Sequence, residues 1–166
     1  MSTTLGGMTE DARWLDEAEA RAWLGYRRMF LLLNREVARD LAHESGLSEA
    51  DYDVLSNLSG APGASVRLTE LAAHLKWSKS RLSHQLTRMQ QRGLISRREH
   101  PSDARGAVIV LTEEGLRTIE EAAPGHVASV RRHFIDLLTP RQLAAFGDIA
   151  WSVVDRLDEA AATRQP

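Results

Sequence analysis

The sequence contains no cysteine, and that absence removes several chemistries together: disulfides, thiolate metal sites and a cysteine nucleophile. No apolar run approaches the roughly 18 residues that a membrane span needs. The opening stretch "MSTTLGGMTEDARW" lacks the basic start and apolar core of a secretory signal, so a cytoplasmic protein is expected. The histidines, His43, His74, His84, His100, His126 and His133, show no H-E-x-x-H spacing, and no paired Glu-x-x-His motifs mark a di-iron bundle. A G-x-S-x-G elbow and a phosphate-binding loop are both missing; "SGAPGAS" at 59–65 is glycine-rich but lacks the lysine. There is no internal repeat and no low-complexity segment. No cofactor, metal or enzymatic activity is expected.

What remains is a chain of 166 residues, 43% hydrophobic and 27% charged, enough for one domain or two small lobes sharing a core. The net charge of −2 hides an uneven distribution. From Lys76 to Arg105 eight basic residues face only Glu99 and Asp103, a local excess of six positive charges that leaves the rest of the chain at −8. One basic segment on an acidic frame points to a polyanion partner.

Local patterns place the elements. Thr9 is positioned to cap a helix running to about Glu44, in which Trp23, Tyr26, Phe30, Leu33, Val37 and Leu41 recur at helical spacing. Ser48, with Asp51 three residues on, opens a second helix whose Tyr52, Leu55 and Leu58 point inward. After the 59–65 loop, "VRL" is extended and Thr69 is the expected cap of "ELAAHLK". Ser78 opens the helix "SKSRLSHQLTRM", which stops at Gly93. "LISRREH" and "AVIVLT" form a hairpin around "PSDARG", a turn by composition. Thr112 caps a helix to about Leu138 with a kink or break at Pro124–Gly125, and Thr139–Pro140 starts a last helix with Leu143, Phe146, Ile149, Val153 and Leu157 on its apolar face.

The order helix, short strand, helix, turn, helix, hairpin is that of a winged helix-turn-helix. The expected fold is mainly α with a small β-hairpin wing, flanked by N- and C-terminal dimerisation helices. The domain boundaries follow: 9–46 for the N-terminal dimerisation helix, 47–115 for the winged DNA-binding lobe, and 116–163 for the C-terminal dimerisation helices. A helix about 10–12 Å across fits the major groove of duplex DNA, where hydroxyls, amides and cations meet phosphates and base edges. Ser78, Lys79, Ser80, Arg81, Ser83, His84, Gln85 and Arg88 supply such a set, while Leu82, Leu86 and Met89 anchor the opposite side. In the hairpin, Arg97 and Arg98 alternate across the strand, so that one faces the backbone, and Arg98 is the candidate. Arg105 at the tip suits a narrow minor groove, and Asp103 beside it is a brace for the wing turn. Trp77 is expected to pack beneath the recognition helix. The roles of Arg92 and Arg97 stay open between structure and phosphate contact.

The stretch "LTELAAHLKWSKSRLSHQLTRMQQRGLISRREHPSDARGAVIVLTEEG", residues 68–115, resembles the MarR (multiple antibiotic resistance regulator) family, with "RMQQRGLISR", "DARG" and "LTEEG" as the distinctive pieces. The resemblance implies a homodimer with intertwined first and last helices. It implies binding to a pseudo-palindromic double-stranded DNA operator, usually as a repressor, and release of DNA by a small aromatic or anionic ligand. Broad apolar faces on the terminal helices independently favour a two-fold dimer. A urate-responsive subgroup places a tryptophan and an arginine on the first helix near an aspartate of the next. "WLGYRR" and "DYDVL" are similar in outline, which makes Trp23, Tyr26, Arg27, Phe30, Tyr52 and Asp53 the ligand candidates. The bland alternative is that Trp23 is dimer core and the charges are surface pairs. A different class of protein, a helical ligand-binding protein or enzyme using the winged fold as a scaffold, is the competing functional reading.

Overall fold

Glu17–Ser45 form α1, which opens on a reciprocal pair: the Glu19 N–H donates to the Asp16 carboxylate at 2.8 Å and the Asp16 N–H to the Glu19 carboxylate at 2.9 Å. The computed structural model describes residues 13–100 and 103–163, and side chains at all of these except 99–100 and 103–106. Thr9, the expected cap, lies outside the described residues, and the helix starts at Glu17, where Asp16 and Glu19 form the reciprocal pair. Two compact units divide the chain after Arg35, within α1. In the first unit Trp23, Tyr26 and Phe30 form a row, with ring centroids 5.8 and 6.3 Å apart in succession.

The second unit begins at Glu36 and holds the remaining elements. Ser48 caps α2 (Glu49–Ser59) in a complete capping box with Asp51. A short 3-10 turn at Pro62–Ala64 leads into β1 (Ser65–Arg67). Next comes α3 (Leu68–His74), and here the expected cap is corrected: the cap position is Arg67, without a side-chain cap, and Thr69 sits inside the first turn. The cause is β1, held by pairing as far as Arg67↔Val108, so that the chain passes directly from strand to helix. The helix that Ser78 opens is α4 (Lys79–Gln91).

The wing consists of β2 (Ile95–His100) and β3 (Asp103–Leu111), and the antiparallel sheet has the order β1-β3-β2. Ile95 pairs with Leu111 and Glu99 with Ala107; a shift after Glu99 then sets His100 opposite Asp103. The turn is therefore shorter than "PSDARG" suggested, because Asp103 to Gly106 already belong to β3.

Thr112 caps α5 (Glu113–His133) by accepting from the Gly115 N–H at 3.0 Å, and its hydroxyl donates to the Gly93 and Leu94 carbonyls at 2.7 and 2.9 Å. Gly115 is required by close approach: a Cβ there would lie 2.0 Å from the Leu94 carbonyl oxygen. Of the expected kink or break at Pro124–Gly125 no break occurs, and the expected end at Leu138 is not observed. The helix runs through Pro124 and stops at His133, followed by a 3-10 turn at Ile135–Leu137. Contacts beyond the proline hold the helix together across its missing N–H. The His126 ring lies tilted against the Tyr52 ring, and Asp40 of α1 accepts from Ser129 Oγ, Arg132 and His133 Nε2 at 2.8–2.9 Å. Finally, α6 (Pro140–Thr163) opens with Thr139 and Gln142 bonding each other's backbone N–H groups.

One core joins these parts. Leu55 and Leu58 from α2, Leu71 from α3, Leu82, Leu86 and Met89 from α4, Ile95 and Ile109 from the wing, and Ile119 from α5 are all buried. The chain is thus mainly helical with a small antiparallel wing, the architecture expected from its sequence.

Candidate nucleic-acid interface

The turn before α4 sets the helix's direction. Lys76 adopts φ +53, and the Lys76 and Trp77 N–H groups donate to the Ala73 and Ala72 carbonyls at 3.2 and 3.0 Å. That is a Schellman ending for α3, with lysine where glycine is usual. Two residues on, the Ser78 hydroxyl accepts from the Arg81 N–H at 3.2 Å and starts α4. The far end of α4 uses the same device with a glycine: Gly93 has φ +74, and Gly93 and Leu94 donate to Gln90 and Met89, each at 3.0 Å.

Between these ends the helix divides by face. Leu82, Leu86 and Met89 have no exposed surface. Ser78, Lys79, Ser80, Arg81, His84 and Arg88 are exposed together, and Ser83 is half-buried. Trp77 is partly buried against the core, and the Arg81 guanidinium lies over its ring, 4.1 Å from the centroid. The tryptophan is thus a core residue, as expected, and also a platform that stiffens an exposed arginine. Trp77, Arg81, His84 and Arg88 line an open concavity of about 620 Å³ on this surface.

Gln85 departs from the expected set. It is 3% exposed, its Nε2 donates to Asp51 Oδ1 at 2.7 Å, and its Oε1 accepts from Arg88. Both ends of the amide are committed inside the protein, so Gln85 is not available to a base edge. Arg92 is also explained, since its guanidinium donates to Asp51 Oδ2 at 2.9 Å. Burial pushes the Asp51 carboxyl up, but the bonds from the Ser48 hydroxyl and amide and from Arg92 outweigh it and hold the carboxyl below its ordinary range.

In the wing, Arg97 donates to the Ser83 carbonyl at 2.9 Å and to Thr87 Oγ1 at 3.2 Å, tying β2 to α4. Arg98, the next residue, is exposed. The alternation read from the sequence therefore separates a bracing arginine from an outward one. Arg105 and Asp103 belong to β3, but their side chains lie outside the described residues.

The ligand candidates fall into two groups, one in each unit. Trp23, Tyr26, Arg27 and Phe30 are exposed on α1 before Glu36. Tyr52 and Asp53 belong to the second unit, where the Tyr52 ring lies 4.1 Å from the His126 ring. Desolvation lowers the His126 pKa, against the attraction of Asp53, and its Nδ1 is buried without a partner. Desolvation likewise raises Tyr52. Among the described residues no group of three or more His, Cys, Asp or Glu could hold a metal ion, and no helix is long and apolar enough to cross a membrane.

Sequence reasoning missed two junctions between elements. Asp51 was visible as a capping residue and, within "DYDVL", in the ligand question; its contacts to Gln85 and Arg92 cross more than thirty positions of sequence and leave no local pattern. Asp40 joins α1 to the end of α5 in the same way.

Residues 45–106 match a model of the MarR family. The chain is 34% identical to the HTH-type transcriptional repressor YetL of Bacillus subtilis (strain 168) over 85 residues, about half the length of each. Two solved structures align over most of the chain. AbsC, a MarR family transcriptional regulator from Streptomyces coelicolor, is 42% identical with a TM-score of 0.84, covering 89% of this chain and 99% of that one. Sco3205, a MarR family transcriptional regulator from the same organism solved in complex with DNA, is 36% identical with a TM-score of 0.85, covering 90% and 93%.

Proposed function

The chain belongs to the MarR family of transcriptional regulators, and on that premise we propose that it binds a pseudo-palindromic operator as a homodimer and represses until a small aromatic or anionic ligand releases it. The observation that carries the reading is the division of α4, with three core-buried apolar residues behind an exposed face of hydroxyls, cations and an imidazole. A relative 36% identical over nine-tenths of the chain was solved with DNA, which supports the same use of this face. Ser80, Arg81 and His84 approach base edges. Lys79, Ser83, Arg88 and Arg98 grip phosphates, and Ser78 adds the helix N-terminus. Arg105 enters the minor groove, with Asp103 as its brace.

The exposed apolar residues of α1 and α6 support dimerisation, which would set two recognition helices about 34 Å apart. In this reading 9–46 and 116–163 are dimerisation segments and 47–115 is the DNA-binding lobe. The ligand candidates remain Trp23, Tyr26, Arg27, Phe30, Tyr52 and Asp53. The protein works in the cytoplasm and has no catalytic activity of its own.

The test is fluorescence anisotropy with the duplex upstream of the protein's own gene and a random duplex of equal length, at two salt concentrations. Binding tighter to the upstream duplex by about 10³-fold or more, with a steep salt slope, is the expected result. No binding to either duplex at low salt would sink the proposal.

A further inference from the structure

We infer that Asp51 is a positioning residue for DNA binding: through the buried Gln85 amide it holds the Arg88 guanidinium in place on the exposed face of α4. The inference rests on reading that face as a DNA surface.

The hydrogen-bond inventory at Asp51 leaves little freedom. Oδ2 accepts the Ser48 N–H at 3.0 Å, the Ser48 hydroxyl at 2.8 Å and Arg92 at 2.9 Å, while Oδ1 accepts Gln85 Nε2 at 2.7 Å. A carboxylate only accepts, so it must face the amide's NH₂. The Gln85 oxygen then points outward, where Arg88 donates to it. Flipping the amide would set oxygen against oxygen at Asp51 and NH₂ against the guanidinium. The orientation is therefore dictated from both sides, and Arg88 inherits it.

The two arginines that Asp51 governs are held differently. Arg92 bonds the carboxylate directly, so its charge is spent in an ion pair. Arg88 bonds a neutral amide, which aims the guanidinium without cancelling its charge. A guanidinium has five N–H donors, so those not given to Gln85 remain for an anion. Arg88 is exposed while its anchor is buried, so its long side chain is ordered before any DNA arrives. Ordering it beforehand removes part of the entropy cost of binding.

The experiment uses the full-length chain and a labelled duplex that the wild type selects from a random-sequence pool. Affinity is measured against salt for the wild type, Gln85→Met, Arg88→Met and the double variant. Gln85→Met keeps length and burial but removes both hydrogen bonds. Arg88→Met should lower the salt slope by about one unit. Gln85→Met should weaken binding several-fold and move the slope toward that of Arg88→Met, and the double variant should bind no worse than Arg88→Met alone. A purely structural role for Gln85 would leave the slope unchanged.

If Gln85→Met does not fold, Asp51→Asn is measured with and without Arg88→Met: the loss of affinity it causes should shrink once Arg88 is gone, and an equal loss in both backgrounds overturns the inference. Wild-type binding with an unaffected Gln85→Met, an unchanged slope in Arg88→Met, or additive losses in the double variant would overturn the positioning role alone. Failure of the wild type to bind any duplex would overturn the DNA reading with it.

Discussion

Two helices of this molecule carry similar amphipathic patterns and meet opposite fates. In α4, Leu82, Leu86 and Met89 are fully buried by α2, α3 and the wing. In α6, Ile149, Val153 and Leu157 are 53–65% exposed, and among the described residues no α6 residue is buried. Helical spacing identifies a face that needs covering, and it does so equally well in both. It does not say whether the cover is in the same chain. An apolar face left open along most of a 24-residue helix requires a second surface, and a two-fold copy is the commonest one.

The sharpest way to test this contrast is a matched pair of substitutions. Leu86→Ala should cost about 2–5 kcal/mol in chemical denaturation, at every protein concentration, because its cavity lies inside the chain. Ile149→Asp with Val153→Asp should instead convert the dimer to monomer in light scattering, with a loss of stability that grows on dilution. If the two variants behave alike, the contrast is wrong.

Gly115→Ala should follow, at about 1–3 kcal/mol, since its new methyl meets backbone rather than a mobile side chain. Its loss should not depend on concentration. Arg81→Ala should cost about 1–3 kcal/mol of binding on the operator and less on random duplex, without a change in stability. Equal losses on both would remove its base-reading role. Arg105→Ala should weaken binding to every duplex and lower the salt slope by about one unit.

The smallest effect is expected at Asp40. Hydrogen bonds from His133 and Ser129, with those of Arg132 and Arg39 and against partial desolvation, hold its carboxyl far below the ordinary carboxylate range. A pKa lowered on folding gives stability that is present above about pH 4 and lost as pH falls below it. The thermal midpoint should therefore drop in acid. Asp40→Asn should flatten that part of the curve while leaving DNA affinity at neutral pH unchanged. A curve as steep as that of the wild type would show that other carboxylates dominate.

The sequence made the elements of the lobe legible because their signals are local. Ser48, Ser78, Thr112 and Thr139 each stand at the helix start expected of them. Thr69 failed because β1 pairing, a contact between distant segments, brought the helix start forward. Pro124 does not end α5 for a related reason: Tyr52 and Asp40 grip the helix beyond it from other elements. At the interface, residue type sorted correctly by helical face except at Gln85. An amide suits a base edge and a buried carboxylate equally well, and only the position of Asp51 decides between them. Trp77 held two roles where one was expected, because nothing in the sequence places the Arg81 guanidinium over its ring.

The small strand β1 has a consequence for how the molecule is made. Ser65 pairs with Val110, so α3, α4 and β2 all lie within a loop that these two partners close. Closing such a loop carries an entropy cost that must be met before distant contacts repay it. A chain emerging from the ribosome can coil α4 early, but it cannot seat that helix until Val108 to Val110 have been synthesised and paired with β1. The surface proposed to read DNA is therefore among the last parts of the lobe to be completed, and a nascent chain cut short before the wing would carry the recognition residues without a scaffold to present them.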